Sequence, residues 1–131
     1  MKVAVALLLC ALCFVGLDAQ CPEANALYDL EGTKLCARLY AQSNIYYDQS
    51  CQGDYLDIYP NDDVPTIAWR WNNRASALVV SRLCNLTVWS RIRKEGTKRK
   101  FSPGIQYRLK DVQKGLFGNW DNSISGYYCT C

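Results

Sequence analysis

The chain has 131 residues, with 15 lysines and arginines, 12 aspartates and glutamates, and no histidine. Without histidine, neither a Ser-His-Asp triad nor a Cys-His dyad can be built, which excludes most hydrolase mechanisms. The length suits one compact domain rather than several.

The N-terminus has the pattern of a secretory signal peptide. Lys2 precedes an apolar run over residues 3–17, and the small residue Ala19 suits the position before a cleavage point. The apolar run is shorter than the roughly 18 residues that a membrane span needs. We therefore predict a signal peptide over residues 1–19 and a single exported domain over residues 20–131.

The predicted exported domain keeps an even number of cysteines, and an even number in an exported chain predicts disulfides. These cysteines are Cys21, Cys36, Cys51, Cys84, Cys129 and Cys131. A zinc site is the weaker alternative, because this domain has neither a Cys-x-x-Cys pair nor a histidine. The cysteine spacing leaves about 15 pairings open.

The first half of the domain alternates between short strands and turns. Leu35–Tyr40 alternates enough to be a first strand, and Tyr55–Tyr59 places Leu56 and Ile58 on the face opposite its tyrosines. The prolines of residues 60–65 end this strand and exclude a helix there.

The second half is read in the same way. From Cys84 a strand places Leu86 and Val88 on one face and Trp89 on the other. The other predicted elements are a strand over Ser76–Ser81, a hairpin over Arg91–Lys100 turning at Glu95–Thr97, a sharp turn at 101–104, alternation from Ile105 to Leu109, a helical turn within 110–118, and a last strand at Tyr127–Cys129. Many short strands and close turns predict an all-β sandwich.

The sequence contains an internal repeat. Trp71 and Trp120 each open the same pattern, 49 residues apart: two short Asx residues, two variable positions, a serine, a small residue and a strand. We therefore predict two Greek-key repeats, over about residues 33–82 and 83–131. The strands that open and close one repeat lie near each other, so we expect Cys84 to pair with Cys129 or Cys131.

The second repeat resembles a βγ-crystallin Greek key. An aromatic, a hairpin glycine and a serine recur in the order typical of that family, at Leu86–Trp89, Gly96, residues 101–104 and residues 121–125. The resemblance implies an all-β, βγ-crystallin-like double Greek-key sandwich stabilised by disulfides.

Taken end to end, the chain is similar to the syncollin family, through its signal peptide, its six cysteines and the segments Cys84–Ser90 and Tyr128–Cys131. This implies a protein of the zymogen granule lumen, peripheral on the lumenal face of the granule membrane and secreted on exocytosis. It also implies disulfides, self-association into homo-oligomers, membrane pore formation and a role in regulated exocytosis. The expected partners are granule membrane lipids and granule membrane proteins, and nucleic acid is disfavoured by the compartment. The alternative is a secreted calcium-binding or toxin-like module that acts outside the cell.

The repeated turns are also candidate calcium sites. In βγ-crystallins such a pattern binds calcium through carbonyl and side-chain oxygens, which a hard cation prefers. The matching residues are Asn72, Asn73 and Ser76 in the first turn, and Asp121, Asn122 and Ser125 in the second. Because Ala77 and Gly126 replace the last serine, and Arg74 adds a cation, we expect weak calcium binding at most. The alternative is a pair of Asx turns that only satisfy loop backbone.

The positive charge is concentrated in the second half, which favours head-to-tail association or docking on anionic surfaces. Residues 20–81 hold four basic and eight acidic side chains, whereas residues 82–131 hold ten basic and three acidic ones. The densest cluster is Arg91, Arg93, Lys94, Lys98, Arg99 and Lys100. We interpret this cluster as a membrane-binding hairpin, with a solvated loop as the alternative.

Two further site hypotheses are weaker. Asn85 begins a glycosylation sequon, although it lies within a predicted strand. Four carboxylates could support glycoside cleavage, but a domain of this size rarely offers the deep cleft that the reaction needs. These acids are Asp54, Asp57, Asp62 and Asp63. We predict a non-enzymatic protein with no required cofactor.

Overall fold

The computed structural model describes residues 21–43 and 51–131, and it forms eight strands and three short 3-10 turns over these residues. The strands are β1 Ala37–Ser43, β2 Cys51–Ile58, β3 Asp63–Val64, β4 Ala77–Val80, β5 Asn85–Arg91, β6 Glu95–Phe101, β7 Gly104–Gln106 and β8 Gly126–Thr130. The 3-10 turns are Ala24–Ala26, Ile92–Lys94 and Leu109–Asp111. The predicted signal peptide lies outside the described residues.

The strands form two four-stranded antiparallel sheets, and the third strand of each repeat lies in the sheet of the other repeat. One sheet has the order β2-β1-β4-β7, and the other has the order β3-β8-β5-β6. The short strand β3 pairs with β8 of the second repeat, and β7 pairs with β4 of the first repeat. The all-β sandwich of Greek keys expected from the sequence is confirmed.

Side chains from both sheets fill one main core. In β5 the burial alternates as predicted, with Leu86 and Val88 fully buried and Thr87 half-buried on the opposite face. Trp120 is the largest fully buried side chain among the described residues, and its counterpart Trp71 packs against the same core only in part. The repeated tryptophans therefore anchor the two loops that precede β4 and β8.

Three disulfides join all six cysteines of the described domain: Cys21–Cys51, Cys36–Cys129 and Cys84–Cys131. The second joins the two sheets, because Cys36 immediately precedes β1 and Cys129 lies in β8. The pairing of Cys84 with Cys131 confirms the expectation from the repeat. The sulfurs of Cys36, Cys84 and Cys131 lie within 4.8 Å of one another, but as disulfide sulfurs they are not metal ligands.

Several predicted boundaries are wrong in detail. The first strand begins at Ala37, and the chain turns between β5 and β6 at Ile92–Lys94 instead of at Glu95–Thr97. The helical turn expected within 110–118 is a 3-10 turn over Leu109–Asp111, so it begins one residue earlier than predicted. None of the helical turns in the described residues is long and apolar enough to cross a membrane.

Candidate functional site

Three of the six predicted membrane-binding cations lie in β6, at the open edge of the second sheet. Because Lys98 pairs with Trp89 and Lys100 with Thr87, these two lysines lie on the outer face. Arg99 faces the other way, and its guanidinium lies 5.3 Å from the centre of the Phe101 ring. We call Lys98, Arg99 and Lys100 the basic edge, and all three are exposed.

The other three predicted cations lie at the β5–β6 turn. Lys94 already has an acidic neighbour, because its Nζ lies 2.8 Å from Asp63 Oδ1. The same nitrogen lies above the rings of Trp89 and Tyr128, at 5.2 and 5.8 Å from their centres. Arg91 is the residue opposite Glu95 in the ladder. The basic edge is therefore the part of the cluster with the densest exposed positive charge.

Arg93 belongs to the basic cluster in sequence, and its backbone also forms a hydrogen bond that connects two segments of the fold. Its φ of +61° is in the left-handed region, and its amide donates to the carbonyl of Pro65 at 2.9 Å. This bond ties the β5–β6 turn to the segment that follows β3. The Arg93 side chain itself is exposed.

The Asx turn of each repeat forms backbone hydrogen bonds with the Asx turn of the other repeat. The amide of Asn73 donates to the carbonyl of Ile124 at 3.1 Å, and the amide of Asn122 donates to the carbonyl of Ala75 at 2.9 Å. Both asparagines adopt a left-handed backbone, with φ of +58° and +53°. The structure thus brings the two sets of predicted calcium ligands together into one reciprocal arrangement.

The serine of each turn also forms a hydrogen bond with an asparagine of the other turn. The Ser125 hydroxyl donates to Asn73 Oδ1 at 3.0 Å, and the Ser76 hydroxyl donates to Asn122 Oδ1 at 3.3 Å. Across residues 21–43 and 51–131, only Asn72 Oδ1 and Asp121 Oδ1 are buried side-chain atoms without a hydrogen-bond partner. Buried oxygens usually find a donor or a cation. These two oxygens therefore fit the chemistry of a hard cation.

Three departures from the calcium-binding pattern have structural correlates. Ala77 is fully buried. A Cβ on Gly126 would lie 2.5 Å from the carbonyl oxygen of Pro65, so a serine does not fit there without backbone movement. The guanidinium of Arg74 lies 3.2 Å from Asp54 Oδ2, donates to the carbonyl of Arg70 at 3.1 Å and lies 5.1 Å from the centre of the Trp71 ring. The charge of Arg74 therefore lies beside residues of the first loop, and its effect on calcium binding stays a prediction.

The carboxylates considered for glycoside cleavage take part in structural contacts. Asp57 pairs with Arg38 at 2.6 Å, Asp54 with Arg74, and Asp63 with Lys94. Asp62 accepts the amide of Tyr59 at 2.8 Å. Each of these acids therefore has a partner within the fold.

Asn85, the predicted glycosylation position, is the first residue of β5. It is half-buried and lies opposite Thr130 of β8. Its modification stays a prediction.

Sequence reasoning missed two groups of surface residues. Trp89 and Tyr128 lie on the outer face with Lys98; the period-two pattern of β5 predicts this face for Trp89, but it does not predict that Tyr128 lies beside it. Leu116 and Phe117 are each 87% exposed between two glycines. The Gly-Leu-Phe-Gly segment is typical of an exposed turn, whereas the pattern of residues 110–118 predicts a helical turn.

Comparison with solved structures defines the class of fold. A βγ-crystallin from an archaeon covers 70% of this chain and 93% of its own chain, with a TM-score of 0.53 at 19% identity. A βγ-crystallin domain of Abundant Perithecial Protein from Neurospora crassa, solved in the Ca2+-bound form, covers 84% and 94%, with a TM-score of 0.56 at 13% identity. The chain has the βγ-crystallin fold.

Comparison of sequences gives the family. A family model described as Syncollin matches residues 20–131. Syncollin of Rattus norvegicus is 48% identical over 128 residues, which are 95% of this chain and 96% of the relative. Syncollin of Homo sapiens is 43% identical over 111 residues, which are 85% and 83% of the two chains. The chain belongs to the syncollin family.

Proposed function

We propose that this chain is a non-enzymatic protein of the secretory granule that binds peripherally to the lumenal face of the granule membrane and assists regulated exocytosis. Membership of the syncollin family over residues 20–131 is the observation that carries the proposal. The exposed basic edge supports it, because each cation near an anionic membrane surface contributes about 1 kcal/mol of attraction.

The same proposal includes self-association and membrane pore formation. The acidic half of the chain and the basic half can attract each other between two copies, which favours head-to-tail contacts. Granule membrane lipids and granule membrane proteins are the partners that we propose.

Fractionation of native granules tests this function. We expect the protein to pellet with granule membranes after lysis at low ionic strength and to be partly released by high salt, since salt screens surface charge contacts. Recovery wholly in the soluble content at low salt would favour the alternative, a secreted module that acts outside the cell.

A calcium-binding role is the second candidate, and the buried partnerless oxygens of Asn72 and Asp121 favour it. The βγ-crystallin domain of the N. crassa Abundant Perithecial Protein, which has a similar fold, was solved in the Ca2+-bound form. Because Asp121 is the only carboxylate among the six candidate ligands and the last serine is missing from both turns, we propose that any binding is weak.

Titration calorimetry of the whole protein with calcium tests this role. We expect Asp121→Ala to remove more of the binding than Asn72→Ala, because only Asp121 carries a negative charge. Submicromolar affinity in the parent, or unchanged binding by the Asp121→Ala variant, would contradict the ligand assignment.

A further inference from the structure

Leu116 and Phe117 form an exposed apolar pair at the tip of a short hairpin. Each is 87% exposed, and they are adjacent in sequence between Gly115 and Gly118, which have φ of +61° and +85°. We call Leu116 and Phe117 the apolar tip. Single exposed apolar residues are ordinary, but two in succession at the end of a projecting turn are typical of an interaction site.

The hairpin below the apolar tip is held in place. The amide of Lys114 donates to the carbonyl of Gly118 at 3.1 Å, and the amide of Trp120 donates to the carbonyl of Val112 at 3.0 Å. Because Trp120 is fully buried, the stem is anchored in the core. The tip is thus presented to solvent by a fixed support, which reduces the conformational entropy lost on binding.

The apolar tip lies beside the basic edge. A Cβ on Gly115 would be 3.8 Å from Thr97 Oγ1, and Thr97 immediately precedes Lys98 in β6. Residues 97–118 contain six cations and one carboxylate, Asp111, which is 3.8 Å from Arg108. An apolar projection in a strongly positive surrounding matches the interface of an anionic bilayer, where charges meet headgroups and apolar side chains enter the acyl boundary.

We propose that the apolar tip inserts into the interfacial layer of an anionic lipid bilayer while the basic edge lies on the headgroups. This inference rests on the proposed membrane function and gives it a second, salt-resistant component. Leu30 provides the contrast within the same molecule: it is 93% exposed, but it lies between Asp29 and Glu31. Its acidic neighbours would be repelled by the same surface.

Sedimentation with vesicles of phosphatidylcholine and phosphatidylserine tests the insertion. We expect the variant Leu116→Ser/Phe117→Ser to bind these vesicles about tenfold more weakly than the parent, because apolar burial at the interface is lost. The matched control Leu30→Ser removes an equally exposed leucine and should bind like the parent. Both sites are exposed, so both variants should keep the thermal unfolding midpoint of the parent.

A depth measurement separates insertion from a general loss of binding. In Phe117→Trp, we expect lipids brominated in their acyl chains to quench the emission of the added tryptophan, whereas in Leu30→Trp the added emission should persist. Equal quenching of the two added tryptophans would overturn the inference.

The outcomes also separate this inference from the proposed function. If the parent binds the anionic vesicles and the tip variant binds equally well, the apolar tip plays no part, and the membrane function stands on charge alone. If the parent itself does not bind the anionic vesicles, the proposed membrane attachment and the inserted tip are both wrong.

Discussion

At the scale of single residues, Gly126 links the fold to the altered calcium pattern. It occupies the position where the calcium-binding pattern of βγ-crystallins has its last serine, and it is buried against the carbonyl of Pro65. The close approach of β8 to the segment after β3 therefore requires a residue without a Cβ. The missing serine follows from backbone packing in this chain.

We expect Gly126→Ala to lower the free energy of unfolding by about 1–3 kcal/mol, because the added carbon must displace backbone. Gly32→Ala is the matched control: Gly32 has φ of +86° but open space around its Cβ position, so only conformational strain is added there. Urea denaturation of both variants measures the difference. A loss well below about 1 kcal/mol in Gly126→Ala would show that the contact relaxes freely.

Tyr127 gives the fold a sensitivity to alkaline pH. Burial raises the pKa of Tyr127 to about 12, with a smaller contribution from the charge of Asp62. Since its pKa in the folded chain lies above that in the unfolded chain, its stabilising contribution is complete below about pH 10 and is lost as the pH rises towards 12. We expect Tyr127→Phe to reduce the fall in the urea midpoint between about pH 9 and pH 11. An identical fall in parent and variant would contradict this.

At the scale of elements, the β5–β6 ribbon shows what the sequence could and could not predict. The burial alternation of β5 follows directly from Leu86 and Val88. Gly96 predicts a turn at Glu95–Thr97, because glycine is typical of hairpin turns, whereas in the structure Gly96 forms a bulge against the Ser90 hydroxyl. The true turn uses Arg93 and Lys94 with positive φ, which their residue types do not signal.

The disulfides should contribute unequally to stability. Cys36–Cys129 is fully buried and spans 93 residues of sequence, whereas Cys21–Cys51 spans 30 and tethers the segment before β1 to β2. On loop length alone, the longer bridge should stabilise by about 1 kcal/mol more.

Replacing each of these two pairs by alanines tests this expectation. We expect Cys36→Ala/Cys129→Ala to lower the thermal unfolding midpoint more than Cys21→Ala/Cys51→Ala. The opposite order would mean that the N-terminal tether controls stability.

At the scale of the whole molecule, the exchange of third strands could not be predicted. The repeat at Trp71 and Trp120 indicated two Greek keys, but β3 has two residues and β7 has three, too few to show which sheet they join. In the folded chain the Ser125 hydroxyl donates to Asn73 Oδ1 and the Ser76 hydroxyl donates to Asn122 Oδ1, across the two repeats. The sequence therefore identified the ligand candidates, and only the fold could place them together.

The most direct test of the central claim, attachment to membranes through the basic edge, is binding to anionic liposomes by Lys98→Glu/Arg99→Glu/Lys100→Glu. The control Lys34→Glu/Arg70→Glu/Arg82→Glu changes the net charge equally at exposed positions away from β6. We predict that the edge variant stays folded and binds at least about a hundredfold more weakly, while the control binds far better. Binding of the edge variant as tight as that of the parent, or equal losses in both variants, would contradict attachment through the basic edge.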